Sequence, residues 1–247
     1  MMQDTLQMSG GAPHARMGQP ILRLVSLERV FKQAEREIRV LDGASADLWA
    51  GEAVALVGPS GAGKSTLLHI SGLLETPTGG RVIVDGQDCT GFDDDARTRV
   101  RRTEMGFVYQ FHQLLPEFSA LENVAMPLMI QGISRSAATA RSRELLAAIG
   151  LETRLDHRPA QLSGGEQQRT AICRALATQP KLLLADEPTG NLDPETSEHV
   201  FNGLLDLITT TGVAALIATH NMELAKRMHR ILRLDHGKLI EIPRGGV

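Results

Sequence analysis

The stretch Gly58-Pro59-Ser60-Gly61-Ala62-Gly63-Lys64-Ser65-Thr66 decides the fold. The apolar run Ala53-Val54-Ala55-Leu56-Val57 leads into it, and Leu67-Leu68-His69-Ile70 leads out. Strand, glycine-rich loop and helix, in that order, form a phosphate cradle, and Gly58, Gly63, Lys64 and Ser65 meet its G-x-x-x-x-G-K-S spacing. The spacing has a physical basis. Backbone N–H groups can crowd around an anion only where side chains are sparse. The helix N-terminus behind them adds positive dipole. Lys64 supplies a full charge for the β- and γ-phosphates, and the Ser65 hydroxyl suits Mg²⁺. An ordinary glycine-rich turn needs none of these together.

Length and composition narrow the setting. A chain of 247 residues suits one large domain, or one domain carrying an inserted subdomain. The formal net charge of −3 shows no basic surplus of the kind a nucleic-acid binder carries. Two cysteines, Cys89 and Cys173, have neither metal nor disulfide spacing and fit a reducing cytosolic setting. No apolar run approaches the roughly 20 residues that span a bilayer. Residues 1–20 lack an apolar centre, do not read as a signal peptide, and are expected to form a mobile tail.

Outward from the loop, residues 21–30 and 38–48 read as strands, with Asp42-Gly43 as a possible turn within the second. The loop helix is expected over 64–74, stopped by Thr76-Pro77-Thr78-Gly79-Gly80. Residues 81–86 read as a short strand and turn. Asp93-Asp94-Asp95 sits ahead of a basic helical stretch over 96–102, where acidic residues suit the helix dipole better than they suggest a metal site. Residues 105–109 form a strand ending at Gln110. Helical spacing of Leu121, Val124, Ala125 and Leu128, and of Leu145, Leu146 and Ile149, marks an inserted helical subdomain at about 112–162. A helix follows to about Ala177. The runs 182–185 and 213–218 are apolar on both faces, as buried parallel strands are. Asp193-Pro194 caps and starts the helix between them. A helix to His229 and a strand pair over 231–234 and 238–242 close the domain. Strands alternating with helices around the loop imply an α/β core.

Three further strand ends carry chemistry. Asp186-Glu187 stands where ligands of parallel α/β sheets sit. Asp186 suits Mg²⁺, and Glu187 is placed to orient and deprotonate an attacking water. His220 ends another strand, within reach of a γ-phosphate. Gln110 ends a third and offers an amide oxygen to metal or water. Alone, each also reads as an ordinary polar strand end; beside the loop they converge on one reaction. Ser163-Gly164-Gly165-Glu166 has a capping-box spacing. Its tandem glycines cost helix propensity, yet let an anion approach the helix start. One chain thus offers one full cradle and one extra anion site, which a head-to-tail dimer of two-fold symmetry would bring together.

With these motifs in hand, residues 21–242 resemble the ATP-binding subunit of an ABC transporter. The matching segments are Walker A at 58–66, the Q-loop Gln110 and the signature Leu162-Ser163-Gly164-Gly165-Glu166-Gln167-Gln168. Walker B at 182–186 with Glu187, the D-loop Asn191-Leu192-Asp193 and the switch His220 complete the set. The resemblance implies a P-loop NTPase of ABC type over 21–247, with an N-terminal antiparallel β-subdomain and the helical insertion. By the same resemblance the chain is an ATPase using ATP and Mg²⁺, the metal held by Ser65, Gln110 and Asp186. Residues 58–66 with Gln110 bind nucleotide, and Phe31 stacks on adenine where the family more often has Tyr. Ser163, Gly164, Gly165 and Gln167 act on the nucleotide of a second copy, beside Asp193.

The run from Phe107 through Gln110, His112, Leu114-Leu115-Pro116 and Leu121 to Pro127, with Leu224-Ala225-Lys226-Arg227-Met228, is similar to the lipoprotein-releasing branch. Gln113 and Asn221 depart from that pattern, where histidine and aspartate are expected. This branch implies LolC/LolE-like integral membrane permease subunits, an ATP-dependent homodimer on the cytoplasmic face of the bacterial inner membrane, and no direct contact with cargo or nucleic acid. The segment after Gln110, with Phe111, Leu114, Leu115 and Phe118, is expected to meet the permease. A related macrolide- or peptide-export or cell-division ATPase remains an open alternative, as does a soluble ABC protein acting on DNA or ribosomes.

Overall fold

The computed structural model describes residues 18–33 and 36–243. Residues 1–17 of the expected tail lie outside the described residues, while the Gln19 side chain lies against Gly86.

Two sheets face each other. The first is antiparallel and four-stranded, in the order β2 (Arg36–Leu48), β1 (Leu22–Gln33), β4 (Gly79–Val84), β5 (Gln87–Asp88). The second has six strands, in the order β10 (Lys238–Ile242), β9 (Arg230–Asp235), β3 (Ala53–Val57), β8 (Ala214–Ala218), β7 (Leu182–Asp186), β6 (Met105–Val108). Within it every neighbouring pair is parallel except β10 with β9. Side chains on a strand alternate between faces, and the central strands use both. Val54, Leu56, Leu182, Leu184, Ala214 and Leu216 enter a core shared with the antiparallel sheet and α1 (Lys64–Ser71). Ala53, Ala55, Val57, Leu183, Ala185, Ala215 and Ile217 enter a second core with α5 (Gly164–Leu176), α6 (Pro194–Thr211) and α7 (Met222–Lys226). Burial on both faces explains the unbroken apolar runs.

The helical subdomain consists of α3 (Ala120–Ile130) and α4 (Arg135–Ala148) packed on α5. Helix α5 serves two cores: Ile172 and Leu176 belong to the sheet side, Cys173 and Ala177 to the subdomain. Residues 112–119 are not helical, because the fully buried Asn123 of α3 holds them as a loop. Its Oδ1 accepts from Leu115 N at 2.8 Å, and its Nδ2 donates to the carbonyls of Leu115, Phe118 and Ser119 at 3.0–3.1 Å.

Three of the boundaries that differ from the sequence expectation have a clear physical cause. Asp42-Gly43 is no turn: β2 runs through it, and Gly43 (φ 84°) is the unpaired residue of a bulge between the Leu27–Ala44 and Glu28–Asp42 pairs. Pairing along the whole of β1 outweighs the local turn preference. Helix α1 stops at Ser71 rather than Leu74, since Leu73 turns left-handed (φ 56°) and its carbonyl accepts from Arg101 Nη1 at 2.7 Å. The last helix ends at Lys226 rather than His229. His229 is already joining the sheet there: its N–H donates to Ala53 O at 2.8 Å, and its Nδ1 accepts from Ala53 N at 2.9 Å. The acidic triplet is a helix start: Asp93 Oδ1 accepts from Ala96 N at 2.8 Å and caps α2 (Asp94–Glu104).

Asn123 leads to a stability prediction. Asn123→Ala strips four hydrogen bonds from a buried loop and is expected to destabilise the chain by about 2–4 kcal/mol. Urea unfolding followed by circular dichroism measures this; a loss below roughly 0.5 kcal/mol would show that the loop is held by other means.

Candidate nucleotide site

Four carboxyl ends of parallel strands meet at one edge of the sheet. The register places Leu56 of β3 beside Ala218 of β8, Ala218 beside Asp186 of β7, and Ala185 beside Val108 of β6. The residues that follow these strands therefore gather without further arrangement: the loop 58–63, Gln110, Glu187 and His220. A cavity of about 360 Å³ opens there, lined by Val40, Ser60, Gly61, Gly63 to Thr66, Gln110, Asp186 and Glu187.

The loop is tightly built. Gly63 has φ 102°, and a Cβ there would lie 2.4 Å from Val40 Cγ1. A glycine is required on both counts. Lys64 folds back so that Nζ donates to the carbonyls of Gly58 (3.0 Å) and Pro59 (3.1 Å). Val40 is a site residue the sequence did not single out; it reaches the loop from the other sheet, a contact with no local sequence signature.

Glu187 sits in left-handed backbone (φ 48°), a conformation that costs a non-glycine residue about 1 kcal/mol. Two backbone bonds hold it: its N–H donates to Ala218 O and its carbonyl accepts from Gly190 N, both at 3.0 Å. The turn aims the carboxylate at His220, whose Nδ1 lies 2.8 Å from Glu187 Oε2. A carboxylate only accepts, so Nδ1 carries the hydrogen. Gln110 Nε2 donates to Asn191 Oδ1 at 2.9 Å, and Asn191 Nδ2 returns a bond to Gln110 O at 3.3 Å. The Gln110 amide oxygen is thereby left as acceptor. Asn191 was legible only as part of a motif; its bond to Gln110 joins residues 81 positions apart.

Oxygen donors from Ser65, Gln110 and Asp186 line one cavity. A hydroxyl, an amide oxygen and a carboxylate are the hard ligands Mg²⁺ takes, with few protein ligands needed beside phosphate. The donor set fits that ion.

Ser163, Gly164, Gly165 and Gln167 do not reach this cavity in the same chain. Ser163 and Gly164 are exposed at the start of α5. The capping box is real: Ser163 Oγ accepts from Glu166 N at 3.3 Å and Glu166 Oε2 from Ser163 N at 2.8 Å. Gly165 has a packing reason as well, since a Cβ there would lie 2.4 Å from Thr196 Cγ2 of α6. Gln167 Nε2 is turned back onto Leu162 O at 3.0 Å. Asp193 caps α6 through Thr196 N at 3.0 Å. Phe31 does not line the cavity either: it is partly exposed on β1, with the Arg29 guanidinium 4.4 Å from its ring centre.

Fold and site together define a P-loop nucleoside triphosphatase. Comparison with known proteins is more specific. The ABC transporter family model matches residues 41–190. The lipoprotein-releasing system ATP-binding protein LolD of Nitrobacter hamburgensis is 58% identical over 223 residues, covering 90% of this chain and 96% of that protein. LolD 1 of Rhodospirillum rubrum is 61% identical, covering 91% and 99%, and LolD 2 of Caulobacter vibrioides 60%, covering 90% and 98%. Among solved structures, the ATP-binding cassette MJ0796, as a post-hydrolysis dimer bound to ADP and Pi, superposes with a TM-score of 0.82 at 38% identity, covering 92% of this chain and all of that one. The chain belongs to the ABC transporter family, as one of its ATP-binding, ATP-hydrolysing cassettes.

Glu166 yields a pH prediction. The Arg154 guanidinium (Nε to Oε1, 2.9 Å) and then the Ser163 N–H hold its carboxyl down at about 2. A depressed folded value stabilises above the unfolded pKa of roughly 4.3, and that stability fades as pH falls toward 2. Glu166→Gln keeps the capping box but loses the charge. It should cost about 1 kcal/mol at pH 7, with the difference from wild type shrinking below roughly pH 4.5. Urea unfolding at several pH values tests this; a difference independent of pH would remove the charge from the account.

Proposed function

We propose that two copies of this chain form an ATP-dependent homodimer that powers a membrane permease releasing lipoproteins from the inner membrane. The observation carrying the dimer is the separation just described. One cavity is lined by loop residues, Ser65, Gln110, Asp186 and Glu187, while Ser163 and Gly164 at the start of α5 are exposed and outside it. A solved MJ0796 cassette that shares the fold is also described as a dimer. In the dimer the loop N–H groups and Lys64 hold the phosphates of ATP, and Phe31 offers a ring face to adenine. The partner's helix start closes the far side, with Ser163 donating to the γ-phosphate and Asp193 beside the interface. Ser65, Gln110 and Asp186 would hold Mg²⁺, which neutralises charge on the β- and γ-phosphates when bound. Glu187 accepts the proton of the water that attacks the γ-phosphorus, oriented by the His220 ring. ADP departs with the cleaved oxygen, and the contacts that joined the halves are lost.

The permease reading draws on the relatives' names and on a surface. A groove of about 630 Å³ runs between α3 and α4, with Phe118, Leu121, Ala125, Met126 and Met129 among polar and charged residues that include Glu122, Arg135 and Arg158. Phe111 (71% exposed), Leu115, Met129, Ile130 and Ile133 stand exposed around the subdomain. Apolar surface of this extent suits a partner's helix, and LolC/LolE-like permease subunits are the partner proposed. Among the described residues no helix is long and apolar enough to cross a membrane, so attachment through such subunits at the cytoplasmic face fits.

Two measurements test the reading. Glu187→Gln should form a dimer on gel filtration with ATP while turnover falls by about 100-fold or more, whereas Ser163→Arg should bind nucleotide as a monomer and show neither dimer nor turnover. Normal hydrolysis by either variant would sink the assignment. A mild-detergent pull-down from the native membrane should bring down LolC/LolE-like permeases; recovery of a drug-export or division permease instead would replace the lipoprotein reading.

A further inference from the structure

The linker leaving β6 is hydrogen-bonded along one side of α5. Tyr109 O accepts from Gln168 Nε2 at 3.3 Å. The carbonyls of His112 and Gln113 accept from Arg174 Nη2 and Nη1 at 3.0 and 2.6 Å. Gln113 adopts left-handed backbone (φ 47°) in making this turn. Between these clamps the His112 ring reaches the helix start, with Nε2 2.9 Å from Gly164 O. A carbonyl oxygen only accepts, so Nε2–H is the donor.

Gly164 opens the first turn of α5, followed by a second glycine. A glycine pair leaves that turn short of side-chain restraint. The capping box fixes Ser163 and Glu166, one on either side of the pair. The Gly164 carbonyl belongs to the same peptide as the Gly165 N–H, one of the first-turn donors a helix leaves without an internal partner. A hydrogen bond to that carbonyl fixes the peptide plane and polarises its N–H.

We propose that His112 is a positioning residue for the signature helix. Its Nε2–H holds the Gly164–Gly165 peptide so that the first-turn N–H groups face the nucleotide carried by a second copy. This rests on the dimer reading above, and assigns to a residue outside the shared motifs the orientation of the closing anion site.

The test uses the full chain carrying Glu187→Gln. Gel filtration at graded ATP gives the concentration for half-maximal dimer, and a fluorescent ATP analogue gives the monomer's affinity. Adding His112→Ala should raise the half-dimer concentration about 10-fold, the scale expected of two symmetry-related hydrogen bonds per dimer, with monomer affinity unchanged. His112→Gln can return an N–H donor and should recover most of the loss; His112→Leu fills the space without a donor and should not. Should His112→Ala melt early in a thermal scan, the Gln and Leu variants carry the comparison. Unchanged dimerisation in His112→Leu overturns the proposal, and so does equal loss in His112→Gln and His112→Leu. Failure of the Glu187→Gln chain itself to dimerise would bring down the dimer reading, and this role with it.

Discussion

The structure depends on the in-register pairing of parallel strands. Leu56, Ala218, Asp186 and their neighbours are aligned by backbone hydrogen bonds, which leave no freedom over where the following residues begin. The phosphate loop, Gln110, the adjacent pair Asp186-Glu187 and His220 come from four separate stretches of the chain. They meet because their strands all run the same way and end at one edge. That pairing is possible only with both faces of the sheet covered, which the two cores provide.

Helix α5 transmits this order outward. One side packs on the sheet and another on the helical subdomain, so its N-terminus is positioned by both. Gly165 lets the helix start press against Thr196 of α6, and α6 is itself capped by Asp193, the last residue of the D-loop, and begins at Pro194. Asn191 of that loop in turn grips Gln110. The segments proposed to meet the nucleotide, the second copy and the permease are therefore tied by short bonds rather than by general proximity. The left-handed backbone of Glu187 belongs to the same economy. A modest strain, held by Ala218 and Gly190, aims the carboxylate at His220 instead of into the sheet.

Much of this was legible beforehand, and for identifiable reasons. The strand runs at 53–57 and 182–186 are apolar at every or nearly every position, so they announced burial on both faces. Asp93, Ser163 and Asp193 announced helix starts, and each caps its helix in the structure. What misled were local preferences opposed by distant pairing. Asp42-Gly43 favours a turn, yet β1 holds β2 straight through it with a bulge. Leu74 and His229 suit a helix by spacing, yet Arg101 draws the Leu73 carbonyl and the Ala53 backbone draws His229.

By itself the sequence determined the glycine-rich loop between strand and helix, the two-faced sheet and the helix caps, because each rests on spacing within one turn, one loop or one strand. Only the tertiary structure decided that Val40 reaches Gly63 from another sheet, that Asn191 holds Gln110, that Gly165 makes room for Thr196, and that His112 reaches the Gly164 carbonyl. Those contacts join residues far apart in the chain, and no local propensity encodes them. They exist because two cores and a shared helix bring the segments within hydrogen-bonding distance.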